Sequence, residues 1–206
     1  MSHPATIPPT FPTSAPSASP RLATCLAPVL LALAGICGGA QAQVAPGDAA
    51  VRAALSAAQR GEAVPATAAL REDPRWPWIE YARLARGLDN ADAAQVRAFL
   101  QRHDGQAVAA ALRPLWLASL SRRKLWSDLL ADWRPVEDTG LRCARLTALH
   151  ALGRHGADWN AQAQAIWRSG QSLPDACDPV FQALAQRGGL DTALRWERFD
   201  LAVAAG

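Results

Sequence analysis

The chain predicts an all-α fold, a solenoid-like superhelix of antiparallel helical hairpins, and three observations carry that reading. After Gln43, Ala, Leu, Arg and Gln dominate and β-branched residues are few, a composition of strong helix formers. No two-residue alternation of apolar and polar residues is sustained, so no sheet is read. Glycines recur where apolar-periodic segments stop, the position a left-handed helix cap requires. Roughly nine or ten helices of about 8 to 16 residues joined by such turns make hairpins in series, with a compact bundle as the competing arrangement.

The elements follow in order. Asp48 is placed to cap a helix ending at Gly61, and a shorter helix lies near Pro65 to Leu70. Trp78, Tyr81, Ala82 and Ala85 fall at i, i+3, i+4 and i+7, one face of a helix ending around Gly87. Val96, Phe99, Leu100 and His103 repeat that spacing before Gly105. Ala107 to Leu120 is helical in composition, but Pro114 lacks a donor and crowds the preceding turn, so a start or kink is expected there. A short helix from Leu125 to Trp133 ends at Pro135. Asp138 opens one carrying Cys143, Leu146 and Leu149, closed by Gly153. Asp158 caps the next, with Trp159, Ala163, Ile166 and Trp167 on one side and Gly170 at its end. Asp175 or Asp178 starts another with Phe181 and Leu184 inward, stopped by Gly188-Gly189, and the last begins near Asp191 with Trp196, Phe199 and Val203 on one face. No clean tetratricopeptide-type repeat is in register, which favours irregular hairpins.

The first 42 residues read as an export signal with a proline-rich leader. Six prolines lie among residues 1–20, Arg21 precedes an uncharged run from Leu22 to Gln43, and the run closes on Ala40-Gln41-Ala42. Small side chains at minus three and minus one place cleavage between Ala42 and Gln43. Pro28 and the glycines at 35, 38 and 39 spoil a membrane span, which needs about 20 apolar residues, so no stable membrane anchor is expected. Lipidation fits neither Cys25 nor Cys37, which follow Thr24 and Ile36 rather than a small residue. Residues 43–206 would then form the exported domain in the periplasm, holding 20 basic against 18 acidic residues, a net +2. The signs are interspersed and Arg122-Arg123-Lys124 is the only basic triplet, which argues against nucleic acid as a partner.

The chemistry-bearing residues are sparse. No nucleophile stands with its base, no phosphate loop occurs, and no catalytic, cofactor-binding or metal-ligating residue is assigned. His150 and His155 lie close in sequence, but without a CxxC or HxxxH pair they do not make a zinc set. Cys143 and Cys177 are expected to join, as two cysteines of an exported chain do in an oxidising compartment; two unconnected buried thiols are the alternative. Of the tryptophans at 76, 78, 116, 126, 133, 159, 167 and 196, most sit at helical spacing beside Leu or Ala and read as core, while Trp76 and Trp78 around Pro77 are open to exposure. Glu80, Asp128, Asp132 and Glu137 read as solvated or paired with Arg, since the sequence places no carboxylate pair in a dry pocket.

Four segments together resemble the N-terminal superhelical region of the soluble lytic murein transglycosylases: DPRWPWIEY from Asp73, LSRRKLWSDLLADW from Leu120, the Cys143 helix, and IWRSGQSLPDACDPVF from Ile166. RWERFDLAVAAG from Arg195 is similar to the helix that follows in that family, so the likeness runs from about 73 to 206. The resemblance implies a U-shaped, all-helical superhelix, with the cysteines matching Cys143 and Cys177 disulfide-bonded. It also implies action on peptidoglycan, between muramic acid and glucosamine residues, by a glutamate in a C-terminal lysozyme-like domain. No Glu-Ser followed by a Gly-Leu-Met-Gln type segment occurs in this chain, so no catalytic residue carries over. The expectation is a truncated, non-catalytic scaffold region whose missing partner is that domain. A stand-alone periplasmic helical-repeat protein that binds a protein partner is the alternative.

Overall fold

A computed structural model describes residues 47–206; the expected signal segment, including the Ala42–Gln43 cleavage site and Cys25 and Cys37, lies outside the described residues. Within them the fold is all-α: α1 (Asp48–Arg60), α2 (Ala68–Glu72), α3 (Trp76–Arg86), α4 (Ala93–Arg102), α5 (Ala107–Arg122), α6 (Trp126–Ala131), α7 (Thr139–Ala151), α8 (Trp159–Trp167), α9 (Asp178–Gln186) and α10 (Thr192–Ala205), with single 3-10 turns at Leu88–Asn90 and Asp175–Cys177. Packing is mainly serial. The helix α3 lies on α1 and α5, α5 touches α4, α6 and α7, and α7 meets α8 and α9. Three apolar clusters result, one under α1 to α3, one centred on α5, and one between α7, α8 and α9. This is the hairpin series the composition predicts.

Sequence-local chemistry sets most boundaries. Thr67, Asp92, Asp138 and Asp191 accept hydrogen bonds from backbone N–H groups of the first turns of α2, α4, α7 and α10, satisfying donors that no helix can pair internally. Asp48 differs from expectation. It is the first residue of α1, with Gly47 at the cap position and no side-chain cap, and its carboxylate instead takes a 2.7 Å hydrogen bond from Arg75 at the start of α3. Gly153 ends α7 with φ +64, the following N–H of Arg154 reaching back to the Leu149 carbonyl at 2.8 Å. Lys124 closes α5 in the same way at φ +55, with Leu125 N–H bonded to the Leu120 carbonyl at 2.9 Å. An L residue spends about 1 kcal/mol to sit there, and no glycine announced the turn.

The helix α5 continues through Pro114 and does not start there. The reason is its central place. A mid-helix proline costs about 3 kcal/mol, whereas burying a large apolar side chain contributes roughly 1.5–3 kcal/mol, and Leu112, Trp116, Leu117 and Leu120 are all fully buried from this one helix. Packing on several sides therefore outweighs the local defect. In α3 the inward face is rotated from the sequence reading: Ile79 and Ala82 are buried and Tyr81 is half-buried, but Trp78 is 40% exposed. In α4 the expected Val96, Phe99, Leu100 and His103 are all buried. Among the described residues, no helix is long and apolar enough to cross a membrane.

Candidate functional site

The carboxylates decide what chemistry the helical stack can support. Glu80, on α3 beside the Trp76–Trp78 turn, is half-buried, with Arg102 Nη1 at 3.6 Å and His103 Nε2 at 3.7 Å. Arg83, Gln95, Phe99 and Arg102 share its cleft of about 170 Å³. Its cationic neighbours are the Arg102 guanidinium and the His103 imidazole, and Leu84 also lines the cleft. Trp78 stands at the surface nearby, edge-on to Tyr81 with ring centroids 5.6 Å apart.

The other partly buried acids are clamped by arginine. Asp73 receives the Arg75 backbone N–H, Nε and Nη2, each at 2.8 Å. The Arg75 side chain, followed by its backbone N–H, holds the Asp73 carboxyl down at about 2, from an ordinary 3.8. Asp132 accepts from Arg97 Nε at 2.8 Å and from Trp116 Nε1 at 2.8 Å, while Arg97 Nη2 donates to Asp128 at 2.6 Å. The bonds to Asp132, then Asp128, raise the Arg97 pKa. This knot ties α4 to α5 and to both ends of α6, across 16 to 35 positions of sequence. Ordered charge pairs of this kind hold helices in register. Glu137 is exposed in the loop before α7.

Cys143 and Cys177 meet in the structure. Cys143 faces inward from α7 and Cys177 lies in the 3-10 turn before α9; both are fully buried, with Cα atoms 4.9 Å and sulfurs 2.01 Å apart. Their surroundings are Leu146, Trp159, Ile166, Val180 and Leu184, and Trp159 Nε1 donates to the Leu146 carbonyl at 2.9 Å, so the indole is anchored at both its apolar body and its polar edge. His150 and His155 do come together, ring centroids 5.5 Å apart beside Trp159. Among the described residues no third His, Cys, Asp or Glu joins them as a metal set.

The tryptophans divide as core and surface. Trp116 and Trp159 are fully buried, Trp76, Trp126, Trp133 and Trp167 are half-buried, and Trp78 and Trp196 are exposed. On α10 only Leu194 is buried, while Trp196, Phe199 and Val203 are 61%, 56% and 66% exposed. That helix is held by Trp167 Nε1 donating to the Leu194 carbonyl, by the Arg168–Glu197 pair, and by Arg198 stacked 4.2 Å over Trp167.

Comparison with known proteins places this geometry. No protein-family model matches the chain. It is 31% identical over 139 residues to the soluble lytic murein transglycosylase of Salmonella typhimurium and 30% identical over 139 residues to that of Escherichia coli K12, in each case covering 66% of this chain and 21% of the relative. The solved structure of an inactive mutant of the lytic transglycosylase Slt from Pseudomonas aeruginosa superposes with a TM-score of 0.67 at 27% identity, over 75% of this chain and 26% of that one. The chain thus spans about a fifth of the length of the curated relatives it matches, and the resemblance to the soluble lytic murein transglycosylases is borne out by them.

Proposed function

We propose that this relative of the soluble lytic murein transglycosylases is the non-catalytic helical scaffold region of a periplasmic peptidoglycan lytic transglycosylase. It holds wall material while another part of the parent enzyme cleaves the glycan. The observation that carries the reading is the similarity itself: about 30% identity over two thirds of the chain, to enzymes named for lysing murein, in an all-helical segment that solved lytic transglycosylases share. One observation supports the non-catalytic half. Cleaving a glycosidic bond needs an acid held protonated at the leaving oxygen, and Asp73, Glu80 and Asp132 are each engaged by cations instead. Export through residues 1–42, with cleavage between Ala42 and Gln43, and closure of Cys143 on Cys177 in the oxidising periplasm belong to the same proposal.

The test is direct. Incubated with purified sacculi, the chain is expected to co-sediment with them and to release no anhydromuropeptides above a buffer control. Soluble anhydromuropeptides, lost on replacing one carboxylate, would overturn the non-catalytic reading, with Glu80→Gln examined first. Failure to co-sediment would overturn the wall-binding one. Mass spectrometry of periplasmic material should find Gln43 at the N-terminus; an intact N-terminus would overturn the export reading.

A further inference from the structure

One cleft among the described residues is lined by arginines without an acid. It lies between the loop that follows α6, the outer side of α7 and the facing side of α8, encloses about 240 Å³, and is walled by Trp133, Arg142, Arg145 and Gln162 over an apolar floor that includes Leu146 and Ile166. Its two arginines have no carboxylate among the residues that line it. The neighbouring clefts do: Glu80 in one, Asp104 and Asp132 in another, Asp89 in a third. Neither Arg142 nor Arg145 forms an ion pair with any described residue. Uncompensated positive charge over an apolar floor calls for an anion with a short aliphatic body.

The geometry is prepared for such a ligand. Arg145 lies over the Trp133 ring at 5.5 Å, and its Nη1 donates to Gln162 Oε1 at 2.9 Å. Gln162 in turn donates its amide N–H to Asp158, so its oxygen is turned toward the arginine. A guanidinium fixed by stacking and by one hydrogen bond keeps further N–H groups in a rigid fork, the arrangement that takes a carboxylate by two parallel bonds. Arg142, one turn earlier on α7 and exposed, adds a second charge. The backbone beneath does not yield: Asp138 caps α7 at the Leu141 N–H, 2.7 Å away, and Cys143, next to Arg142, is clasped to Cys177. The volume falls below the roughly 300–1,000 Å³ of pockets that engulf a whole ligand, so the cleft receives one terminal residue and leaves the rest outside.

We infer that this cleft binds the free C-terminal carboxylate of a peptide with a small aliphatic last side chain, the acid on Arg142 and Arg145 and the side chain against Leu146 and Ile166. Resting on the scaffold reading above, this names the ligand as the stem peptide of murein, not its sugar chain. The indole N–H resonance of Trp133 in the full chain, assigned with Trp133→Phe, reports on the site directly. Three probes are titrated: a murein stem tetrapeptide ending in D-alanine, the same peptide as its C-terminal amide, and a neutral tetramer of N-acetylglucosamine. The acid is expected to shift the resonance saturably and the amide to bind about tenfold more weakly or worse, the worth of a charge-assisted hydrogen bond. R142E, at an exposed position where the helix tolerates it, should remove binding with the circular dichroism unchanged; R145K, which keeps the charge but loses the fork, should weaken it. Equal binding of acid and amide, unchanged affinity in R142E, or an equal response to the sugar tetramer overturns the inference. If the acid fails to bind while the chain still co-sediments with sacculi, this inference falls and the scaffold reading stands; if the acid binds and sacculi do not, the reverse holds.

Discussion

Replacing Cys143 and Cys177 together by alanine should destabilise the region by about 4–5 kcal/mol, and the structure supplies the terms. The bond closes 34 positions of sequence. In the chain-entropy model, removing that constraint returns about 13 cal/mol/K to the unfolded chain, about 4 kcal/mol at 25 °C. Both sulfurs are fully buried among Leu146, Trp159, Val180 and Leu184, and the small void they leave adds about 1 kcal/mol. For a chain of this size each kcal/mol moves the melting midpoint by roughly 2–4 °C, so a fall of about 10 °C or more is expected. Thermal melts followed by circular dichroism would compare the native protein, the reduced protein and the C143A/C177A pair. Because contacts in a serial stack are mostly between neighbours, hydrogen exchange should show the loss concentrated in α7 to α9. A double variant melting within about 2 °C of the native protein would refute the reasoning, since even 1 kcal/mol moves a chain of this size by that much. So would native material in which both thiols alkylate without reductant.

Three other outcomes follow from particular contacts. A methyl at position 170 would stand 2.4 Å from the Leu201 carbonyl oxygen and 2.8 Å from its carbon, so Gly170→Ala should lever α10 away; faster amide exchange across 192–205 with α7 to α9 still protected is the expected readout, and an unchanged α10 would count against the packing. Asp73, held near 2 from an ordinary 3.8 by Arg75, contributes stability that is complete above about pH 4 and is lost as pH falls toward 2; the gap in melting temperature between native protein and Asp73→Asn should therefore close across that window, and a constant gap would show that the ion pair is not its source. Trp116→Phe removes a hydrogen bond to the Asp132 carboxylate from a fully buried position, and urea unfolding should register a loss of about 1.5–3 kcal/mol, the range for a hydrogen bond to a charged group.

What the sequence shows and hides follows from how far each determinant reaches. The α4 face was legible because Val96, Phe99, Leu100 and His103 are buried together, and a single stripe maps onto a single period. The α3 face was misread because that helix packs on both α1 and α5; with neighbours on two sides, Ile79 takes the inner place and the larger Trp78 is left at the surface. The helix starts at Asp138 and Asp191 are local and legible, but the caps expected at Asp48 and Asp158 do not form: neither side chain caps its helix, and the Asp48 carboxylate's partner Arg75 is 27 positions away. For the clefts no periodic signal exists. Trp133, Arg145 and Gln162 come from a loop and two helices, and only the closing of α8 onto α7 makes a wall of them.

That wall is held by several contacts, and the contrast with α10 gives the arrangement its logic. Around the loop after α6, three independent devices act on adjacent residues: the Arg97–Asp132–Trp116 knot immediately before Trp133, the Asp138 cap on α7, and the covalent clasp at Cys143. Each holds a different part of the wall, so losing one loosens the residues it holds. α10 has one buried side chain and is otherwise held by half-exposed polar contacts. Local opening should therefore cost least there and most around α7. A site that recognises a carboxylate by geometry needs its donors fixed more tightly than thermal motion would allow on a loop alone, and the loop bearing Trp133 is braced on both sides by the elements that fix Arg145. The rigidity of the stack and the selectivity of the cleft are in this sense one property: loosening the brace at Cys143 should weaken peptide binding at Arg142 and Arg145 even though neither sulfur touches the ligand.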